Sequence, residues 1–447
     1  MEFKQYPSYK NSSVEWLGDV PEHWESNRLK KYLIERNEKN SPIKTDNLLS
    51  VTMYQGVIPV SEKQGNGGNK PKENLENYKI SYPNDIVLNS MNVIVGSVGL
   101  NKYTGLISPA YYALYNRNKN NNIKFFSYIF HNPFFQKGLF GLGNGIMYKE
   151  SEDGKLNTIR LKIPMEKLNQ VVLPCPSISE QNQIVAFLNT ETIRIDNLIS
   201  KQEKLIELLE EQRKSIISHA VTKGLNPNAP MKDSGVEWLG EVPEHWEVTR
   251  LKNIGKSIIG LTYSPNEICN PDDDSYLVLR SSNVQNGQLS FLDNVYVKSY
   301  VSEKLKIKKN DILICSRNGS RDLIGKNTII KNPPKNSTFG AFMTVYRSEH
   351  ADYVYWILNS YIFKAQAGSY LTTTVNQLTI NNLNNMTVPF APTSEQNEIV
   401  EFLSTENLKF NNLISKQKAL IEKLKEYRAS IISHAVTGKI DVREFGA

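Results

Sequence analysis

The sequence predicts a mixed α/β (α+β) protein in which one plan occurs twice, as two globular domains separated by two long helices. Val14–Glu25 and Val236–Glu247 match at eleven of twelve positions at an offset of 222 residues. Ser179–Thr222 and Ser394–Thr437 agree at 30 of 44 positions at an offset of 215. We call the first pair the frame segments and the second pair the helix blocks. A repeated frame predicts one scaffold used twice.

The residues between these repeats are not duplicated. The two inserts, residues 26–173 and 248–388, resemble each other only faintly, and each has about the size of one domain, ~150 residues. Different inserts in one frame predict two different recognition surfaces. Lys and Arg number 53 against 46 Asp and Glu, a net charge of +7. This modest positive excess favours a nucleic-acid partner.

Cysteine usage and the amino terminus indicate the compartment. Cys175, Cys269 and Cys315 are isolated, with no CxxC pair and no histidine at metal-binding spacing. We therefore expect a reduced protein without a metal site. The first residues lack an apolar signal region, and no apolar run reaches the ~20 residues that span a bilayer. The sequence predicts a cytoplasmic protein without a membrane partner.

Each helix block predicts one long helix with a heptad seam. Prolines and serines precede each block, Glu180 and Glu395 lie in the first turn, and Gly224 and Gly438 end the helices. Apolar residues recur at alternating spacings of four and three, which is typical of a coiled coil. The predicted interface residues are Ile184, Leu188, Ile195, Leu198, Leu205, Leu209, Ile216, Ile399, Leu403, Phe410, Leu413, Leu420, Leu424 and Ile431. Such helices are expected to pair with each other.

The inserts show short apolar runs bounded by Asn, Gly and Pro, which predict strands. These runs are Ile86–Leu88, Val93–Val95, Ile312–Cys315 and Thr344–Tyr346. Residues 125–135 and 353–363 predict helices with aromatic residues on one face. We interpret these aromatics as core rather than as base-stacking platforms.

The frame segments contain two tryptophans and one histidine each. Trp16 and Trp24, with Trp238 and Trp246, are predicted to fix each insert to its frame. His23 and His245 are interpreted as structural rather than catalytic.

Catalytic motifs are incomplete. Asn332-Pro333-Pro334 resembles the start of an adenine methyltransferase site, but Lys335 stands where an aromatic must stack on the base, and no cofactor loop accompanies it. Residues 319–326 (GSRDLIGK) resemble a phosphate loop with one residue too many. No set of carboxylates and lysine has nuclease spacing. The sequence therefore predicts a protein without catalytic activity of its own.

The repeats carry a resemblance to a known family. The opening GVEWLGEVPEHWE, the steps LPCPSISEQNQIV and VPFAPTSEQNEIV, and the endings ISHAVTKG and ISHAVTGK resemble the specificity subunits of type I restriction-modification enzymes. The resemblance covers the whole chain. It implies target recognition domains at 1–175 and 226–390, and antiparallel coiled-coil helices at 176–225 and 391–447, related by a pseudo-two-fold repeat.

The resemblance also implies partners. Methyltransferase subunits, in two copies, and nuclease/translocase subunits would assemble on this chain at a bipartite, asymmetric double-stranded DNA site. S-adenosylmethionine, ATP and Mg²⁺ would belong to those partners, and this chain would hold no cofactor. The holoenzyme would be a site-specific endonuclease and adenine-N6 DNA methyltransferase.

Side chains that reach base edges are expected in polar loops of the inserts, because Arg, Asn and Lys donate hydrogen bonds in the major groove. Asn and Gly also favour ordinary surface turns, which stays the alternative at each position. The predicted DNA-binding residues are Asn66, Asn69, Lys70, Asn89, Ser90, Asn92, Arg280, Asn283, Arg317, Asn318, Ser320 and Arg321.

Three functions stay open on the sequence alone. The first is a DNA-reading specificity subunit. The second is a self-sufficient methyltransferase or nuclease, which the incomplete motifs disfavour. The third is a coiled-coil adaptor that binds proteins without DNA specificity.

Overall fold

The chain divides into two compact units. The computed structural model describes residues 3–52, 55–63, 74–146, 149–150, 156–157, 160–370 and 376–445. The first unit comprises Met1–Gln202 with Ala419–Ala447, and the second comprises Glu203–Lys418. The helices expected as separate segments are therefore shared, since each unit contains one half of each.

The two long helices span Ile178–Lys223 and Thr393–Val436, 46 and 44 residues. At 1.5 Å per residue each is about 65 to 70 Å long. Each ends at a glycine in the left-handed region, Gly224 with φ +74° and Gly438 with φ +70°. A residue without Cβ adopts this conformation at low cost, and so the helices stop where the repeat predicts.

The helices run antiparallel within each unit. In the first unit the Arg428 guanidinium binds the Asp196 carboxylate, with Nε–Oδ1 at 2.9 Å. In the second unit Arg213 donates to the Asn411 side chain at 3.1 Å. Asp196 and Asn411 occupy the same place in the two helix blocks, as do Arg213 and Arg428. The repeat thus places equivalent residues in equivalent cross-helix contacts.

The predicted heptad register is wrong in the middle of the helices. Leu205, Leu413 and Leu420 are 38%, 43% and 41% exposed, whereas the next residues, Ile414 and Ile421, are 6% exposed. The other predicted interface residues are buried or half-buried: Ile184, Leu188, Ile195, Leu198, Leu209, Ile216, Ile399, Leu403, Phe410, Leu424 and Ile431. The buried stripe follows a period of 3.6 residues, that of a straight α-helix, and drifts away from a strict 3.5-residue repeat.

The dissimilar inserts contain the same antiparallel sheet of four strands. Its strands, in spatial order, are Leu33–Arg36, Tyr111–Asn116, Ile86–Asn89 and Val98–Leu100 in the first unit, and Lys256–Ile259, Met343–Arg347, Ile312–Cys315 and Asn327–Ile329 in the second. Asn89 opposes Tyr111 as Cys315 opposes Met343. This register makes residues beyond Asn89 structurally equivalent to those beyond Cys315.

The helices that follow the sheets are also equivalent. They span Ile123–Phe130 and Pro133–Gly138 in the first unit and Ala351–Leu358 and Tyr361–Tyr370 in the second. Each predicted helix is therefore two helices, the first interrupted before Pro133, which begins the next helix. Phe125, Phe126 and Phe130 are fully buried, which confirms the interpretation as core for these residues, whereas Phe134 and Tyr361 are 60% and 71% exposed and contradict it.

The units differ in their additional elements. The second unit has another sheet of four strands, Ile268–Cys269, Tyr296–Val297, Tyr276–Leu279 and Ser337–Phe339. The first unit instead pairs Leu49–Thr52 with Gly56–Pro59 and Lys79–Ser81 with Gly105–Ile107. Val93–Val95, predicted as a strand, is a 3₁₀ turn that ends at Gly96 with φ +86°. These differences follow from insert sequences that the repeat does not share.

Short elements complete the units. The remaining paired strands are Tyr9–Asn11 with Asp19–Pro21, Glu25–Arg28 with Val172–Cys175, Asn144–Ile146 with Arg160–Lys162, Lys149–Glu150 with Leu156–Asn157, Met231–Asp233 with Glu241–Pro243, Glu247–Arg250 with Thr387–Phe390, and Val284–Gln285 with Gln288–Leu289. The remaining short helices are Leu29–Tyr32, Met165–Leu168, Leu251–Ile254 and Ile380–Asn385. Among the described helices, none is both long enough and apolar enough to cross a membrane.

Candidate nucleic-acid interface and its frame

Each frame segment is fixed to the start of a long helix by one carboxylate. Trp24 Nε1 donates to Glu180 at 2.9 Å, and Trp246 Nε1 donates to Glu395 at 2.9 Å. His23 and His245 contact the same two carboxylates through Nε2. These contacts support a structural role for both histidines and for Trp24 and Trp246.

The other frame tryptophans behave differently from each other. Trp16 packs edge-on against Phe135, with ring centres 5.0 Å apart. Trp238 is 42% exposed, so the prediction that it fixes the second insert is wrong. Among the described residues, Trp238 has no ring contact that corresponds to the one between Trp16 and Phe135.

The candidate readers of the first insert lie at the end of strand Ile86–Asn89. Ser90 is fully buried, and its Oγ donates to the Ala110 carbonyl at 2.6 Å. Asn89 is half-buried and accepts a hydrogen bond from the Met91 amide, whereas Asn92 is exposed. Ser90 therefore fixes the loop to the next strand and has no surface to offer DNA, which corrects its prediction as a reader. Asn66, Asn69 and Lys70 lie outside the described residues.

The second insert contains the same hydrogen bond from a serine beyond one strand to the carbonyl group that precedes the neighbouring strand. Ser316, which follows Cys315 as Ser90 follows Asn89, donates from Oγ to the Phe342 carbonyl at 3.1 Å. Phe342 and Ala110 each directly precede the neighbouring strand. Burial raises the pKa of the Cys315 thiol, which therefore stays protonated at the base of this loop. The two loops are thus attached to the neighbouring strand by the same type of hydrogen bond.

Four predicted readers extend from this second loop. Arg317, Ser320 and Arg321 are exposed and Asn318 is half-buried. Asn318 donates to Ser281 Oγ at 3.2 Å, and Arg321 donates to the Gly368 carbonyl at 3.2 Å. The four residues thus lie in one loop, which is hydrogen-bonded to Ser281 and to Gly368 of the second unit.

Of the two remaining predicted readers in the second insert, Asn283 is corrected, and Arg280 stays a prediction although it is ion-paired within the chain. Asn283 is fully buried and donates to the carbonyls of Ser290 and Asp293. Arg280 is ion-paired with Asp293 at 2.8 Å and also donates to its carbonyl. Both side chains hold residues 280–294 together, but only the Asn283 amide is fully buried, since the Arg280 side chain is 31% exposed. Asn283 therefore presents no free donor to a base edge, whereas Arg280 is engaged by Asp293 through Nη2.

Sequence reasoning missed two features. Phe342 is 58% exposed beside the second loop, with the Arg317 guanidinium 5.1 Å from its ring centre. A basic groove in the first unit is lined by Ser26, Asn27, Arg28, Lys30, Lys31, Arg117 and Val172. Arg117 comes from a distant strand end, so no local pattern indicates this cluster. The basic run from Arg28 to Lys31 was the available signal.

The incomplete catalytic motifs form ordinary turns. Asn332 and Pro333 are exposed, and the 319–326 segment contains a 3₁₀ turn at Arg321–Leu323 rather than the start of a helix. Its Lys326 lies 3.4 Å from the Gln285 side-chain oxygen. A phosphate loop needs amides that converge on a helix N-terminus, and this segment has none.

Comparisons with known proteins agree with this architecture. Residues 243–423 match a family model described as the Type I restriction modification DNA specificity domain. The chain is 29% identical over 212 residues to the type I restriction enzyme EcoKI specificity subunit of Escherichia coli K12, covering 45% of this chain and 44% of that protein. A provisionally named MjaX specificity subunit of Methanocaldococcus jannaschii is 24% identical over 468 residues, covering 99% of both chains. Three relatives at 28–29% identity are matched over only 44–63% of their length.

A solved structure shares the fold. A chain from work on complex assembly and conformational transition of the type I R-M system is 13% identical, with a TM-score of 0.68. The match covers 93% of this chain and 98% of that one. The repeated frames, the two long helices, the matched specificity domain and this fold lead to one family. Residues 243–423 match the type I restriction modification DNA specificity domain, and the chain as a whole is similar to a specificity subunit of a type I restriction enzyme.

Proposed function

We propose that this chain is the DNA sequence-specificity subunit of a type I restriction-modification system. One observation carries the proposal: two equivalent sheets, fixed by equivalent contacts, end in loops with different side chains. Met91 in the first unit stands where Arg317 stands in the second, whereas the next position is asparagine in both, Asn92 and Asn318. Different side chains at equivalent places suit two unlike half-sites, and so a bipartite, asymmetric DNA site.

The outer faces of the long helices support binding to two copies of a methyltransferase subunit. Ile193 and Leu408 are 61% and 64% exposed and occupy the same position in the two helix blocks. Leu205 and Leu420 form a second such pair. Exposed apolar side chains that recur with the repeat suit a partner that binds twice in the same manner.

In this proposal the chain performs no bond chemistry and holds no cofactor. S-adenosylmethionine belongs to the methyltransferase subunits, and ATP and Mg²⁺ belong to the nuclease/translocase subunits. The chain positions both kinds of partner on double-stranded DNA in the cytoplasm. Its own residues contribute recognition and assembly.

A domain exchange tests the proposal. Residues 248–388 are replaced by the corresponding insert of a related specificity subunit, and the chain is expressed with its methyltransferase partner. Methylation-site sequencing should show one half-site changed and the other retained. The reciprocal exchange of residues 26–173 is the matched control and should change only the other half-site.

Three results would contradict the proposal. If both half-sites changed together, the inserts would not be independent readers. If the wild-type complex formed but produced no sequence-specific methylation, the chain would act as a protein-binding adaptor. Methyl transfer by the isolated chain would contradict its non-catalytic role.

A further inference from the structure

Arg317 is presented differently from the other candidate arginines of the second unit. Arg280 is paired with Asp293, and Arg321 donates to the Gly368 carbonyl. Arg317 is exposed and, within the described part of the chain, takes part in no ion pair. Its guanidinium carbon lies 5.1 Å from the centre of the exposed Phe342 ring. Its charge is therefore available to a ligand.

The backbone beneath this side chain is held firmly. The Arg317 amide donates to the Phe342 carbonyl at 3.0 Å, and the same carbonyl accepts from Ser316 Oγ. Thr344 Oγ1 in turn donates to Ser316 Oγ at 3.1 Å. The loop thus begins from a strand end that cannot shift easily. A side chain on such a support loses less entropy when it binds in one geometry.

The stacked guanidinium is suited to one type of base. Contact with an aromatic face orients the planar group and leaves its N–H edge free. This edge forms two parallel hydrogen bonds with the O6 and N7 atoms of guanine in the major groove. Lysine carries the same charge but lacks the planar fork. A free, oriented arginine therefore favours guanine over the other bases.

Resting on the proposed function, we propose that Arg317 reads a guanine in the half-site bound by the second recognition domain. Met91 occupies the equivalent place in the first unit, two residues beyond the strand end. A thioether donates no hydrogen bond. The first half-site therefore has no guanine recognised from this position, and the two half-sites differ here.

The test uses the full chain with its methyltransferase partner and methylation-site sequencing. The variants are Arg317→Met, which removes charge and fork, and Arg317→Lys, which keeps the charge. Lys335→Met removes one exposed charge of the same domain as a control. Arg317→Met should lose preference for guanine at one position, with discrimination reduced roughly 5- to 150-fold. Arg317→Lys should lose a smaller part, because its ammonium can still donate to O6 and N7 but lacks the planar guanidinium. The first half-site and the Lys335→Met motif should match wild type.

The outcomes separate this inference from the proposed function. A wild-type complex without any bipartite motif would contradict the proposed function itself. A bipartite motif whose second half-site keeps its base preferences in Arg317→Met would overturn only the role of Arg317. Weaker binding of Arg317→Met with unchanged base preferences would also overturn it, since a phosphate contact adds affinity but no base preference. If Arg317→Met fails to fold in a thermal melt, the Arg317→Lys motif decides.

Discussion

In both units a tryptophan and a histidine of the frame segment contact one glutamate at the start of a long helix. This glutamate is buried in the first unit and partly exposed in the second. The Glu180 side chain is 4% exposed and also accepts a 2.6 Å hydrogen bond from the Tyr6 hydroxyl. The Glu395 side chain is 32% exposed and has no equivalent of Tyr6 among the described residues. Burial, together with the Glu180 charge, raises the pKa of Tyr6, so the phenol keeps the proton that it donates.

Both ends of the chain supply the additional cover in the first unit. Phe3 and Phe445 pack on Phe187, with ring centres 5.7 and 4.9 Å from it. Phe187 is 1% exposed, whereas Phe402, at the same place in the second helix block, is 38% exposed. A repeated sequence therefore repeats its own contacts, but burial depends on what else the chain brings to each copy.

The largest expected difference concerns the two frame carboxylates. Glu180→Ala should destabilise the protein by about 3 kcal/mol, because it leaves the buried donors of Tyr6 and Trp24 without a partner. Glu395→Ala should cost about 1 kcal/mol, since water reaches its site. Urea denaturation of the purified variants measures both values. Equal losses of unfolding free energy would show that the greater burial of Glu180 has no energetic effect. Tyr6→Phe measures the contribution of the hydrogen bond between Tyr6 and Glu180 alone.

Acid sensitivity should also distinguish the units. His131 ends a helix of the first unit at the place that Asn359 occupies in the second. Burial and the nearby Arg428 charge lower the pKa of His131 to about 4. The unfolded chain, with a histidine pKa of about 6.5, then binds more protons between these values, so stability falls as pH drops below about 6.5.

His131→Asn gives the first unit the residue of the second and should remove this sensitivity. Relative to the variant, wild type should lose about 2 kcal/mol of unfolding free energy between pH 7.5 and pH 5. Urea midpoints at the two pH values provide the measurement. A parallel decrease in both proteins would assign the acid effect to other groups.

The smallest effect concerns the cross-helix contacts. Asn411→Asp should turn the Arg213 contact of the second unit into an ion pair like Arg428–Asp196, with a gain of about 0.5 kcal/mol. The gain is small because Arg213 already contacts Glu210 and the site is near solvent. It should disappear at high salt. Asp196→Asn is the reciprocal change in the first unit. If the stability gain of Asn411→Asp persisted in high salt, it would come from packing rather than from the ion pair.

The helices and frames could be predicted because their information is local and duplicated. The helix ends lie within two residues of the predicted segments at Ile178, Lys223 and Thr393. Capping residues and a terminal glycine act within a few residues of themselves. The equivalence of the two sheets could not be predicted, because strand Leu33–Arg36 pairs with Tyr111–Asn116 across a sequence that the second insert does not share.

In the candidate site, too, local features could be predicted from the sequence and contacts between distant residues could not. The sequence indicated that the loop from Arg317 to Arg321 carries two arginines, but not that Phe342 stacks on one and the Gly368 carbonyl binds the other. Ser90 and Asn283 had the composition of surface readers and are buried supports. Side-chain availability depends on long-range neighbours, which residue type alone does not specify.

By itself, the sequence determined the duplication, the two long helices, their terminal glycines and the resemblance to a family. The tertiary structure alone decided which helix positions are buried, how far each frame is covered and which arginine is free. Capping and periodicity are properties of a short stretch of chain. Burial and pairing are properties of surfaces that meet only after residues far apart in sequence, such as Tyr6 and Glu180, have been brought together.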